Sequence, residues 1–281
     1  MGKDSKSLEV SCYVLGAGAF GVFFRWMQLQ LAYDKGLPDK SVWHFFVVLL
    51  VCAGAGVFQY FTRKQAKEKL AVPEDFFEAL QNEGKLYAVI RWAIALVMIA
   101  GGVLLFSQSE VDADATFLRV LAVLGILTGI AFPLTLVCAN KPHVVKNSTI
   151  TLLALIPILF FACGLLTAYK QNSINPIIWN YLIEILTLIV DAMAFFRLAG
   201  FAYGVPDGKK TMFYCMWGAM LSLMTLADSR YLGQQIMFFA VALMLTLANW
   251  ILIANLQKRE IAEDAADQEE TKKEAEPVER L

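Results

Sequence analysis

Apolar residues run along this chain in long unbroken stretches, each closed by a short polar or helix-stopping segment. The stretches are about 17–26 residues long, the length a helix needs to cross a ~30 Å hydrocarbon core. A closed barrel would instead show alternating segments of ~10 residues. The pattern predicts an all-α, polytopic helical membrane protein of about eight transmembrane helices, over 10–31, 41–61, 86–107, 116–139, 148–169, 177–203, 211–227 and 232–256. The breaks carry Gly36-Leu37-Pro38, Asn140-Lys141-Pro142 and Val205-Pro206-Asp207-Gly208, all residues that end helices. The seventh span is the shortest, and only Asp228-Ser229-Arg230-Tyr231 separates it from the eighth.

The basic residues give an orientation. Lys and Arg accumulate in short cytoplasmic loops and are sparse outside. With the N-terminus inside, the inner segments hold sixteen of them: Lys3, Lys6, Arg63, Lys64, Lys67, Lys69, Lys85, Lys141, Lys146, Lys209, Lys210 and five after residue 256. The outer loops hold four, Lys35, Lys40, Lys170 and Arg230, and the acidic loop 108–115 has none. Dropping the seventh span would put the basic tail outside, so this asymmetry favours eight spans with both termini cytoplasmic. Residues 1–256 then form a single bundle with one sizeable inner loop, 62–85, and 257–281 form a charged cytoplasmic tail. In that loop Pro73-Glu74-Asp75 suits a helix start, with acids at the positive end of the dipole. Phe76, Phe77 and Leu80 would then share one face of a short helix on the inner membrane surface. The tail, rich in Glu, Lys and Ala, is expected to extend the last helix into water and fray.

Composition agrees with this class. Of 281 residues 58% are hydrophobic and 17% charged, against about 25% charged in a soluble domain. The net charge of −1 gives no basic surplus for nucleic acid. The five cysteines stand singly in apolar runs, which suggests neither a disulfide framework nor a zinc site. The start is read as a retained first span: Lys6 stands where myristoylation needs Ser or Thr, and no small-residue cleavage site leads into polar sequence. The expected setting is the plasma membrane.

Gly16-Ala17-Gly18-Ala19-Phe20-Gly21 matches a dinucleotide fingerprint in letters only, because the strand and βαβ unit that give the motif meaning are missing. Small residues in a membrane helix let another helix approach, and Gly125 and Gly129 carry the same reading. Met212, Met216, Met220 and Met224 recur at helical spacing, which suits adaptable packing better than Cu(I) ligation. No cofactor and no metal site is expected.

The sixth span carries the most chemistry. Asn180, Glu184, Thr187 and Asp191 fall within an arc of roughly 60° on a helix, a single polar stripe. Asp191 lies near mid-span, where a carboxylate costs at least ~2.5–3.5 kcal/mol on insertion scales. It should therefore face the bundle interior or a wet cavity, and there it can carry a proton or bind a cation. Arg25 lies at about the depth of Glu184 and is its expected partner; Arg91, Arg119 and Arg197 lie near span ends, where arginine snorkels. The expected function is a small secondary transporter or channel-like protein with Asp191, Glu184, Asn180, Thr187 and Arg25 at its ion or metabolite site. A non-catalytic subunit that docks a protein partner through loop 62–85 and the tail is the alternative. A membrane-embedded lipid-modifying enzyme has the least support, since no cluster of acids or histidines lies at an interface.

Overall fold

A computed structural model describes residues 3–31, 33–34, 37–38, 42–67, 70–82, 84–109, 115–141, 147–173 and 177–258. The tail beyond 258, the acidic residues Glu110, Asp112 and Asp114, and His143 lie outside the described residues. Nine α-helices occur among the described residues: α1 Lys3–Leu31, α2 Val42–Lys67, α3 Phe76–Leu80, α4 Lys85–Gln108, α5 Ala115–Ala139, α6 Asn147–Asn172, α7 Leu182–Ala202, α8 Gly208–Met224 and α9 Leu232–Ala254. Six of them, α1, α2, α4, α5, α6 and α9, are long and apolar enough to cross a membrane. The protein is thus an all-α integral membrane protein, as the apolar stretches predict.

Of the two long helices outside that set, α8 is largely buried, while α7 keeps an exposed apolar face at Ile189 and Phe196 and turns its acids inward. α8 is 17 residues long and packs against α1, α2, α7 and α9; α7 carries Glu184, Asp191 and Arg197 and packs between α6 and α8. A helix with ionisable groups belongs in such a place, because lipid cannot solvate them. α9 is central, with sixteen of its 23 residues buried and α1, α4 and α8 around it.

Close approach of the helices depends on small residues. A side chain at Gly18 would collide with Leu223 of α8, and one at Gly54 would meet the Met220 Sδ at 2.6 Å. Gly18 and Gly21 are therefore a packing face for α8, and of the four buried α8 methionines Met224 lies on Gly21 and Met220 on Gly54 of α2. On the opposite side a Cβ at Gly102 would lie 2.9 Å from the Ala122 carbonyl oxygen, and one at Gly129 3.3 Å from that of Ala95. Those backbone contacts set the α4–α5 crossing. Pro133 and Pro157 sit inside α5 and α6 without ending either.

The break between α7 and α8 shows how local sequence ends a helix. Gly204 takes φ +74, the left-handed conformation that favours glycine. That turn lets the Val205 N–H donate to the Gly200 carbonyl at 2.8 Å and the Gly204 N–H to that of Phe201 at 3.4 Å, a Schellman closure. Pro206 cannot continue the helix, and the Asp207 side chain accepts from the Lys210 N–H at 3.1 Å to start α8.

The two rims of the bundle differ. At one, α3 begins on Asp75, whose Oδ2 accepts the Phe77 and Glu78 amides at 3.0 and 3.3 Å. The helix packs on α5, α7 and α9 with Phe76 and Leu80 buried, so these apolar residues face the bundle and not a lipid surface. Asn82, Asn140 and Arg91 interlock there: Asn140 Oδ1 accepts the Asn82 amide at 2.9 Å, and Arg91 Nη1 donates to Asn82 Oδ1 at 2.9 Å. α9 stops at Ala254, and Asn255 Nδ2 donates to the carbonyls of Ala79 and Gln81. The expected continuation of α9 into the tail is corrected accordingly: strand β4 (Gln257–Lys258) pairs antiparallel with β3 (Leu70–Ala71). A second ladder at the other rim pairs β1 (Tyr33–Asp34) with β2 (Leu37–Pro38); these segments are numbered β1 to β4 along the chain.

Gly102→Ala should lower the detergent-solubilised melting temperature, at a cost of about 1–3 kcal/mol, because the Ala122 backbone cannot yield as a side-chain tip can. Gly16→Ala, with nothing within 4 Å of the added carbon, should leave it unchanged. Equal behaviour of the two variants would contradict the α4–α5 backbone contact.

Candidate functional site

Arg25 of α1 is fully buried at the rim opposite α3. Its Nε donates to Asp228 Oδ1 at 2.7 Å, Nη1 to Gln28 Oε1 at 2.7 Å and to the Trp179 carbonyl at 3.1 Å, and Nη2 to the Asn180 carbonyl at 3.0 Å. Those two carbonyls are available because 178–180 is a single 3₁₀ turn and α7 begins only at Leu182. The stripe read from the sequence is corrected at that point. Asn180 is not on the helix with Glu184, yet the turn still places both on one cavity wall.

The expected partnership of Arg25 with Glu184 is also replaced. Arg25 pairs with Asp228, whose Oδ2 accepts from Arg230 Nη2 at 2.9 Å, and Arg230 Nη2 lies 3.4 Å from Glu184 Oε2. Charges thus alternate in sign along Arg25, Asp228, Arg230 and Glu184. The outermost acid and base of the chain are set apart by the inner two. Burying one ion costs several kcal/mol after relaxation, and alternation offsets that cost at every step. Asp228 can bridge because it ends the 3₁₀ turn Thr225–Ala227, its amide donating to the Thr225 carbonyl at 3.1 Å.

Gln28 carries the network on to α2. Its Oε1 is occupied by Arg25, so its amide nitrogen donates to His44 Nδ1 at 2.6 Å. That assignment puts the imidazole proton on Nε2. The His44 ring stacks on Trp179 at 4.7 Å and 3°.

Beside this network lies a cavity of about 880 Å³, within the size range of small-molecule sites. Asn180, Glu184, Asp228, Arg230 and Gln234 line it, with Gln171, Asn172 and Gln235 around them. Arg230 and Glu184 are largely enclosed, at 7% and 11% side-chain exposure. Arg230 also stands 4.8 Å from the Phe238 ring centre, a cation–π contact that holds the guanidinium in place. Arg25 does not line the cavity; it braces the wall from behind.

Asp191 and Thr187 lie elsewhere along α7. Thr187 donates to the Ile183 carbonyl at 2.7 Å within its own helix. Asp191 is fully buried against α8: Ser222 Oγ donates to Oδ2 at 2.5 Å, while Oδ1 has no partner among the described residues. Oδ1 sits in the space left by the missing side chain of Gly218, and Cβ at that position would overlap it. Arg197 makes no ion pair with Asp191 among the described residues. The five residues singled out in the sequence therefore divide into a cavity wall (Asn180, Glu184), a brace (Arg25), a helix-internal hydroxyl (Thr187) and a separate buried acid (Asp191).

Sequence reasoning missed Asp228 and Arg230, read only as a separator and an outer charge. The available signal was an acid and a base two residues apart at the depth of Arg25. No protein family, curated protein or solved structure matches this chain, so the site is interpreted from its own chemistry.

The Arg25–Asp228 pair should behave as one unit. Arg25→Met and Asp228→Asn should each destabilise the protein by about 3–5 kcal/mol, because each leaves the opposite charge buried. The double variant should lose clearly less than the sum. Additive losses in thermal unfolding would contradict direct pairing.

Proposed function

We propose that the chain is a small secondary transporter of the cell membrane, crossing eight times with both ends cytoplasmic, and that the charged cavity admits a polar solute from the outside. The sixteen-to-four distribution of basic residues supports this orientation, since it puts the cavity rim outward. The observation that carries the reading is the cavity itself. A bundle selected only for stability would gain little from three largely buried charges around a space of about 880 Å³.

Asp191 is the proposed coupling group. Glu184 on the cavity wall and Asp191 are seven residues apart on α7, so two turns of helix connect the solute site to the buried acid. Among the described residues no group of three His, Cys, Asp or Glu could hold a metal ion, and Ser222 is the side chain bonded to Asp191. One carboxylate with one hydroxyl suits a proton better than a cation that needs a shell of oxygens. Gain or loss of that proton changes the charge buried where α7 meets α8 at Gly218, which biases how the two helices pack. Docking of a partner on loop 62–85 has less support, because α3 already packs its apolar residues on the bundle.

In proteoliposomes, Asp191→Asn should abolish pH-gradient-dependent uptake across a panel of polar metabolites while the melting temperature stays near that of the wild type. Unchanged uptake would remove Asp191 from the mechanism.

A further inference from the structure

We propose that the cavity takes the head group of a neutral α-amino acid, its carboxylate on Arg230 and its ammonium on Glu184. The proposal rests on the reading of the cavity as a solute site and adds the class of solute. Arg25 is excluded as the receptor because every nitrogen of its buried guanidinium already donates within the protein. Arg230 differs. Its Nη2 meets Asp228 at 2.9 Å, but the Glu184 oxygen is 3.4 Å away, beyond the normal N–H···O range, and Nη1 is buried with no acceptor among the described residues, so a ligand reaches it only as the side chain turns toward the cavity it lines. A guanidinium with one edge uncommitted, buried on a cavity wall and held by an aromatic ring, is suited to a carboxylate.

Glu184 supplies the opposite charge. Its ion-pair partner is Arg230 at 3.4 Å, which leaves it able to accept an ammonium. The proximity of Arg230 to Glu184 sets the spacing of the solute's charges. A ligand that meets both must carry its carboxylate and ammonium on the same or adjacent carbon, as an α-amino acid does. Charge balance gives the same answer independently. Arg25 and Arg230 are matched by Asp228 and Glu184, so an ion of net charge would leave one buried charge uncompensated, whereas a zwitterion would not. Gln234, 5% exposed and without a hydrogen bond among the described residues, remains for the solute's side chain.

The test is a thermal-shift and calorimetric screen of the purified full chain against neutral L-amino acids, their N-acetyl derivatives and their amides. At least one neutral amino acid should bind and raise the melting temperature. Its N-acetyl form, which lacks the ammonium, and its amide, which lacks the carboxylate, should bind at least about tenfold more weakly. Arg230→Gln and Glu184→Gln should show the same loss; the derivative series uses the unaltered protein and decides even if those variants misfold. Equal binding of the derivatives, or no binding of any neutral amino acid, would overturn the proposal. The transport reading fails separately: binding without uptake would refute transport and leave this site standing. Asp191-dependent uptake of other solutes without amino-acid binding would do the reverse.

Discussion

Four largely buried charges from three parts of the chain alternate in sign at one rim of the bundle. Arg25 from α1, Asp228 and Arg230 from the turn before α9, and Glu184 from α7 are tolerable only together, because each offsets the desolvation of its neighbour. That mutual dependence ties the rim ends of α1, α7 and α9, and through Gln28 it reaches His44 on α2. The 3₁₀ turn at 178–180 belongs to the same constraint, since its free carbonyls complete the Arg25 shell. Small residues make the reach possible: Gly18 and Gly21 bring α1 against α8, and so place Arg25 beside the end of the 3₁₀ turn that follows α8.

Within this network the two arginines do different work. Arg25 is saturated and enclosed, a brace whose geometry is settled by the fold. Arg230 lines the cavity and is held by one carboxylate and one ring, with its buried Nη1 lacking an acceptor among the described residues. The same division runs along α7, where Glu184 faces the cavity and Asp191 faces Gly218 and Ser222 in a buried contact. In the proposed transporter, solute recognition and proton carriage would thus sit on one helix, two turns apart, each against a different neighbour.

The apolar stretches and their breaks made the helices legible, because lipid demands long continuous runs and each interruption is visible. The break at Val205-Pro206-Asp207-Gly208 could be placed for that reason, although the left-handed Gly204 that closes α7 was not singled out. The packing use of Gly18 and Gly21 was also legible from residue size, though Gly16 in the same run meets no neighbour. The pairing of Arg25 was not, since depth along a helix says nothing about azimuth or about which turn folds over the rim. Periodicity placed Asn180 on the same helix as Glu184, but it cannot see that the first turn is 3₁₀. Asp228 and Arg230 were hidden because a four-residue connection looks like solvent-exposed punctuation. The docking of α3 was missed for a related reason: an apolar face predicts burial, not whether lipid or protein provides it.

The most direct test of the account is whether the charged cavity is open to water on the outer side of the membrane. Gln234→Cys, in a background with the five native cysteines replaced, would be exposed in intact cells to a membrane-impermeant maleimide. Labelling from outside is expected, and none for Leu245→Cys, which lies buried at the Asp191 contact. Labelling of Gln234→Cys only after the cells are permeabilised would contradict it.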